Sequence, residues 1–244
     1  MSARGRERHL LRIERADPSR RLPGGWPFDL PAVAQVLAEG LDVPPGVTFL
    51  VGENGSGKST LLEAVAAVYP RRGAFATGPG PSVEDSPLRW HLRAVTAPMA
   101  SPNGFFLRAE VMHSFLAAVD ADAGQARAWG GERLNERSHG ESFLAVLRHR
   151  FADRGVFFLD EPESALSFAS SLGLLALLDV LRQEGSQAVV ATHSPLLVAL
   201  PGATLLEVGE WGLREAEYDD LDLVRSWRGF LDAPQRYLRH LLVE

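Results

Sequence analysis

Apolar positions follow two periods along this chain. From Val47 to Val51, Val156 to Leu159 and Gln187 to Ala191 they run almost unbroken, as in strands covered on both faces. From Lys58 to Tyr69, Glu141 to Phe151 and Phe168 to Gln183 they return every three or four residues, as on one side of a helix. His9 to Glu14 alternates enough to be a strand, and Ala32 to Glu39 reads as a short helix after a Pro- and Gly-rich loop from Pro18 to Pro31. Pro70 to Pro87 reads as irregular loop. Leu88 to Val95 and Gly104 to Leu107 are candidate strands, followed by a helix from about Val111 to Asp120 and a Gly-, Ala- and Arg-rich stretch to Arg137. Near the C-terminus come a short helix from Pro195 to Leu200, strands from Ala203 to Val208 and Leu213 to Glu217, and helices near Leu221 to Phe230 and Pro234 to Leu242.

Alternating strands and helices predict an α/β fold: a mainly parallel sheet covered on both faces, with a mixed edge and a small middle helical insert. With 244 residues the chain is expected to form one domain over 1–244, the insert at about 88–137 and closing helices at 219–244. There is no cysteine, which excludes disulfides and thiolate metal sites. No stretch of about 18 uncharged apolar residues occurs, so a cytoplasmic location is expected. A net charge of −6 argues against a general nucleic-acid binder. Residues 1–21 nevertheless carry seven Arg against three acids, which suits a solvated extension or a phosphate contact.

Of the 25 basic residues 24 are Arg and one is Lys, at position 58. Arg cannot easily replace Lys where a compact ammonium must fit among phosphate oxygens. Lys58 lies in Gly52-Glu53-Asn54-Gly55-Ser56-Gly57-Lys58-Ser59-Thr60, between a strand and a helix, the context a phosphate loop requires. Its glycines let backbone N–H groups of Asn54, Gly55, Ser56, Gly57 and Lys58 converge where the helix N-terminus also favours an anion. Lys58 is expected to reach the β- and γ-phosphates of ATP, and Ser59 to ligate Mg2+, with Thr60 beside it.

The strand from Val156 to Leu159 ends in Asp160 and Glu161. Asp160 suits work on the Mg2+, and Glu161, pointing the other way, suits positioning or deprotonating water. An acidic strand end is by itself a common solvated cap. His193 follows the next buried strand and could donate to the γ-phosphate. Ser138 and Glu141 have the spacing of a capping box, which any helix can use. With Gly140 allowing close approach, the same helix start could hold a phosphate, one belonging to another subunit since the first loop already has its ATP.

These elements resemble the ABC ATPase family, in the order Walker A (52–59), signature (138–141), Walker B (156–161) and switch histidine (His193), with Glu163 to Ser167 similar to its D-loop. The resemblance implies a three-layer P-loop NTPase fold and Mg-dependent ATP hydrolysis. It also implies a homodimer on ATP binding, two chains head to tail with each ATP touched by Ser138, Gly140 and Glu141 of the other. An aromatic often stacks on adenine in this family, and Trp26 and Phe28 are candidates, though simple packing is the better explanation of each.

Three departures stand out. His139-Gly140-Glu141 replaces the usual Gly-Gly-Gln and resembles small soluble bacterial AAA-family ATP-binding proteins. No Gln lies between Gln35 and Gln125, so the Q-loop glutamine is missing, with Arg108 or Glu110 candidates for its place. Only 78 residues separate Ser59 from Ser138, too few for the long coiled coils of chromosome-maintenance relatives. The expected function is an ATPase whose dimerisation acts on a protein or nucleic-acid partner, the alternative being the ATP-binding subunit of an ABC transporter with a membrane partner. A nucleotide switch without hydrolysis is disfavoured by Glu161 and His193, and a small-molecule kinase by the signature helix.

Overall fold

The computed structural model describes residues 8–70, 75–76, 83–111, 139–239 and 241–242. Ten strands and six α-helices alternate along these residues. The strands are β1 (Leu10–Arg15), β2 (Leu41–Asp42), β3 (Gly46–Val51), β4 (Phe75–Ala76), β5 (Leu92–Thr96), β6 (Gly104–Arg108), β7 (Val156–Asp160), β8 (Gln187–Thr192), β9 (Thr204–Gly209) and β10 (Gly212–Glu215). The helices are α1 (Pro31–Glu39), α2 (Lys58–Val68), α3 (His139–Arg150), α4 (Phe168–Gln183), α5 (Asp222–Asp232) and α6 (Pro234–Leu238).

Seven strands form the main sheet in the order β10-β9-β3-β8-β7-β6-β4, parallel except for β10, which runs antiparallel on the edge. Its central strands, β9, β3, β8, β7 and β6, bury both faces, and alternate residues enter different cores. Phe105, Leu107, Phe157 and Leu159 pack with Phe143 and Leu147 of α3 and Leu174 and Leu178 of α4. Phe106, Phe158 and Leu50 pack with Val33 and Val36 of α1 and Leu61 and Val65 of α2. This explains the unbroken apolar runs, since in a sheet covered on both sides neither side-chain direction meets water.

The three remaining strands form a separate antiparallel sheet, β2-β1-β5. Gln187, fully buried at the start of β8, ties it to the main sheet. Its side-chain oxygen accepts from His9 N at 2.7 Å and Leu10 N at 2.8 Å, while its amide donates to the carbonyls of Leu10 and Pro44, each at 2.9 Å. Leu at this position would fill similar space but strand all four backbone groups without water. We expect Gln187→Leu to lower unfolding free energy by at least ~3 kcal/mol, read from a urea midpoint at unchanged slope.

The stretch from residue 88, read from sequence as the start of an insert, opens with one strand of each sheet: β5 pairs with β1, and β6 pairs with β7. The helix expected from about Val111 to Asp120, beyond Val111 itself, and the stretch to Arg137 lie outside the described residues. Among the described residues no helix is long and apolar enough to cross a membrane.

Candidate functional site

Strands β3, β8 and β7 are adjacent and parallel, with Val51 opposite Thr192 and Asp160 opposite Ala191. Their C-terminal ends therefore deliver the 52–57 loop, the Thr192-His193 turn and the Asp160-Glu161 pair to one edge of the sheet, where open parallel sheets bind ligands.

The loop closes into α2 through Gly57, whose φ of 96° is a backbone conformation that a side chain would strain. Lys58 is 3% exposed, and its Nζ donates to the Glu53 carbonyl at 2.7 Å, curling the side chain back over the loop. Burial pushes its pKa down, while the carboxylates of Glu161, Asp160, Glu163 and Glu53 act the other way. The Ser59 hydroxyl donates to Asp160 Oδ1 at 2.8 Å. Asp160 is nearly buried, which raises its pKa, while Ser59 and then Arg108 oppose that rise.

Arg108, at the end of β6, places Nε 3.2 Å from Asp160 Oδ2 and bridges onward to Glu63 of α2. Of the two candidates for the place of the missing glutamine, Arg108 is thus the one that touches Asp160. It brings a fixed positive charge beside that carboxylate.

Glu161 sits at φ 47°, the one left-handed residue other than glycine among those described. Its N–H donates to Ala191 O at 2.9 Å, and its own carbonyl accepts from Ser164 N at 3.0 Å. That backbone costs about 1–3 kcal/mol, and the side chain it carries reaches the histidine turn. Glu161 Oε1 lies 2.9 Å from Nε2 of His193.

Glu163 was read only as part of a D-loop-like stretch, yet it holds the histidine turn. Its Oε1 accepts both the Thr192 hydroxyl and the His193 N–H, each at 2.6 Å. Burial raises the Glu163 pKa, opposed by these bonds. No local pattern in the sequence announces that grip, because its partners lie about thirty residues downstream.

Asn54, Gly55, Gly57, Lys58, Ser59, Thr60 and Glu161 line a pocket of about 170 Å3 together with Trp26. Ser56 instead lines an adjoining cleft of about 610 Å3, which also takes in His193, Asn54 and Gly55. Of the two candidate aromatics, Trp26 is 73% exposed at the smaller pocket, whereas Phe28 is buried edge-on against His91.

Gly140 and Glu141, in the first turn of α3, line neither opening. A Cβ on Gly140 would come within 2.5 Å of Ser170 Oγ, so close packing of α3 on α4 already accounts for glycine there. Ser138 lies outside the described residues.

The donor chemistry fits Mg·ATP. Ser59 and Asp160 offer two hard oxygens side by side at the mouth of a loop of backbone N–H groups, and Lys58 supplies a nearby cation. Among the described residues no cluster of three or more His, Cys, Asp or Glu could hold a metal, so such a cation would take its other ligands from phosphate and water.

The family model for an AAA domain matches residues 42–197, more than half of the chain. The cytochrome c biogenesis ATP-binding export protein CcmA of Maricaulis maris is 33% identical over 190 residues, 69% of this chain and 82% of that one. An ABC transporter ATP-binding protein of Streptomyces coelicolor is 34% identical over 175 residues, covering 65% of this chain but only 31% of that longer one. In fold the chain is similar to cbiO1 from Clostridium perfringens, part of the ABC transporter complex cbiONQ. That structure has a TM-score of 0.51 and 13% identity, over 97% of this chain and all of that one. With a Walker-type loop, a paired acidic strand end and a histidine turn on one sheet edge, the chain belongs to the AAA domain family as a P-loop ATPase of the ABC type.

Proposed function

We propose that the chain hydrolyses Mg·ATP at composite sites in a head-to-tail dimer, and that the energy drives a partner assembly. The observation that carries this reading is the convergence of Ser59–Asp160 at 2.8 Å and Glu161–His193 at 2.9 Å around Lys58, whose charge both carboxylates favour. In it the N–H groups of Asn54, Gly55, Ser56, Gly57, Lys58, Ser59 and Thr60 cradle the phosphates, and Lys58 exchanges the Glu53 carbonyl for β- and γ-oxygens. Trp26 stacks on the base. Mg2+, held by Ser59 and by Asp160 directly or through water, would screen the phosphate charge during transfer. Glu161 takes the proton of the attacking water, and His193 turns Nε2 from Glu161 to the γ-phosphate. Ser138, Gly140 and Glu141 of the second copy close the site from α3, whose N-terminus favours an anion.

For the partner, the relatives' names support a membrane transport complex over the protein or nucleic-acid partner expected from the sequence. The feature that stands against it is the lack of any glutamine between Gln35 and Gln125, where transporter ATPases carry their coupling glutamine and where this reading puts Arg108, beside Asp160. The two readings separate in one experiment. Phosphate release is measured with duplex DNA, single-stranded DNA or RNA, alongside recovery of the tagged chain from detergent-solubilised membranes. A multi-span protein recovered in fixed ratio supports the transport subunit. Stimulation by a nucleic acid with no such protein overturns it.

Burial gives Asp160 a raised pKa, so the fold loses stability as pH climbs through that value and the buried carboxyl ionises. A cation beside Asp160 removes that cost. The Tm gain from adding Mg2+ at saturating ATP is therefore expected to be larger at neutral pH than near pH ~4, where the carboxyl is protonated more often. Scanning fluorimetry at a series of pH values reads it, and a pH-independent gain would take Asp160 out of the cation site.

A further inference from the structure

We propose that the cleft beside the phosphate loop is the socket for α4 of a second copy of this chain, with Phe168 and Leu172 seated between Trp211 and Trp227. This deepens the head-to-tail reading and rests on it.

The socket is built in advance. On β9, the buried Glu207 accepts from Arg214 Nε at 2.9 Å and from the Asp222 N–H at 2.8 Å, which pins the β10 edge and the start of α5 to the same residue. Arg214 covers one face of the Trp211 ring at 3.9 Å. Trp211, at 50% exposure, and Trp227, at 48%, line the cleft together with Pro31 and Leu223, giving about 610 Å3 of largely apolar space. A cleft of this size takes more than one large side chain. It is continuous with the nucleotide pocket, since both are lined by Leu30, Asn54 and Gly55, and it reaches His193. Whatever fills it lies on the face that head-to-tail pairing closes.

The plug is equally plain. The loop after Glu163 leads into α4, whose first residue, Phe168, is 73% exposed, and Leu172 one turn later is 47% exposed. At i and i+4 they stand on one side of the helix. No charged residue occurs in α4 before Asp179, which is unusual for an exposed helix start and leaves this face without a solvating rim.

Charge complements shape. The cleft is also lined by Glu53, Glu210 and Asp222, whereas α4 has no acidic residue in its first turn and is a 16-residue helix with its N-terminal end leading. The positive end of that helix approaching a rim of carboxylates is favourable, and the reverse pairing would repel. Among the described residues the plug lines neither the cleft nor the nucleotide pocket, so the two halves do not meet within one copy.

Because the chain has no cysteine, a pair of introduced ones gives an unambiguous report. The full chain carrying Glu161→Gln, Phe168→Cys and Trp227→Cys is incubated with Mg·ATP under mild oxidation. Its assembly is followed in parallel under reducing conditions by sedimentation. The expected result is an ATP-dependent dimer linked through 168 and 227, with none linked when Trp90→Cys replaces Trp227→Cys. A dimer in sedimentation with no 168–227 link overturns the socket and leaves head-to-tail pairing standing. A chain that stays monomeric with Mg·ATP overturns the pairing itself. Phe168→Asp gives a second readout: the dimer dissociation constant rises at least about tenfold while ATP binding by the monomer is unchanged. An unchanged dimer constant counts against the plug.

Discussion

Glu161→Gln should bind ATP as the parent does and turn it over about 10² to 10⁴ times more slowly. The side chain is nearly isosteric and its oxygen can still accept the His193 hydrogen bond now made at 2.9 Å, so the turn geometry should survive. What is lost is the ability to take a proton from water. The φ of 47° sharpens this expectation, because that backbone strain is independent of which acid or amide stands at the side chain's tip. Single-turnover phosphate release separates the chemical step from product release. A Gln variant within a factor of three of the parent would move the base elsewhere, and Glu163, half-buried and already bonded to Thr192 and His193, would be the next candidate.

Lys58→Ala should weaken ATP binding by about 10² to 10³, the scale expected when one partner of a buried charge pair is truncated. Lys58 is 3% exposed as a residue, and burial already disfavours its charge, so the phosphates inherit a cation whose desolvation the fold has largely met. Removing it leaves a cluster of carboxylates, Asp160, Glu161 and Glu163, facing an anionic ligand with one less cation. Titration calorimetry with Mg·ATP measures the loss. Lys58→Arg is the informative partner variant: it keeps the charge, and near-normal affinity there would show that the loop does not discriminate the compact ammonium from the guanidinium.

The main sheet was legible in the sequence because each of its long strands is a local apolar run with helices between, and the phosphate loop because strand, glycines and helix are contiguous. The three-stranded sheet was not. Its pairing joins Leu10 to Thr96 and Arg12 to Asp42, and β2 has two residues, too few to show a period. The site divides in the same way. Asp160, Glu161 and His193 could be placed together from chain order alone, since each ends a buried strand. The Arg108–Asp160 contact depends on parallel register across fifty-two residues, which no spacing rule supplies. Trp26 and Phe28 were indistinguishable as letters, and only exposure, 73% against 8%, separates them. The motifs also said nothing of the apolar faces at Trp211, Trp227 and Phe168, because surface exposure at strand and helix ends depends on packing rather than on pattern.

The arginine bias that singled out Lys58 has a chemical corollary. This chain offers one ε-amine to acylating reagents, and that amine points into the phosphate loop with its nitrogen bonded to the Glu53 carbonyl. Lysine-directed labelling of the protein is therefore a one-site measurement. The extent of modification at residue 58, read by mass, tracks how often the loop opens and how well a nucleotide guards it, with no background from any other lysine.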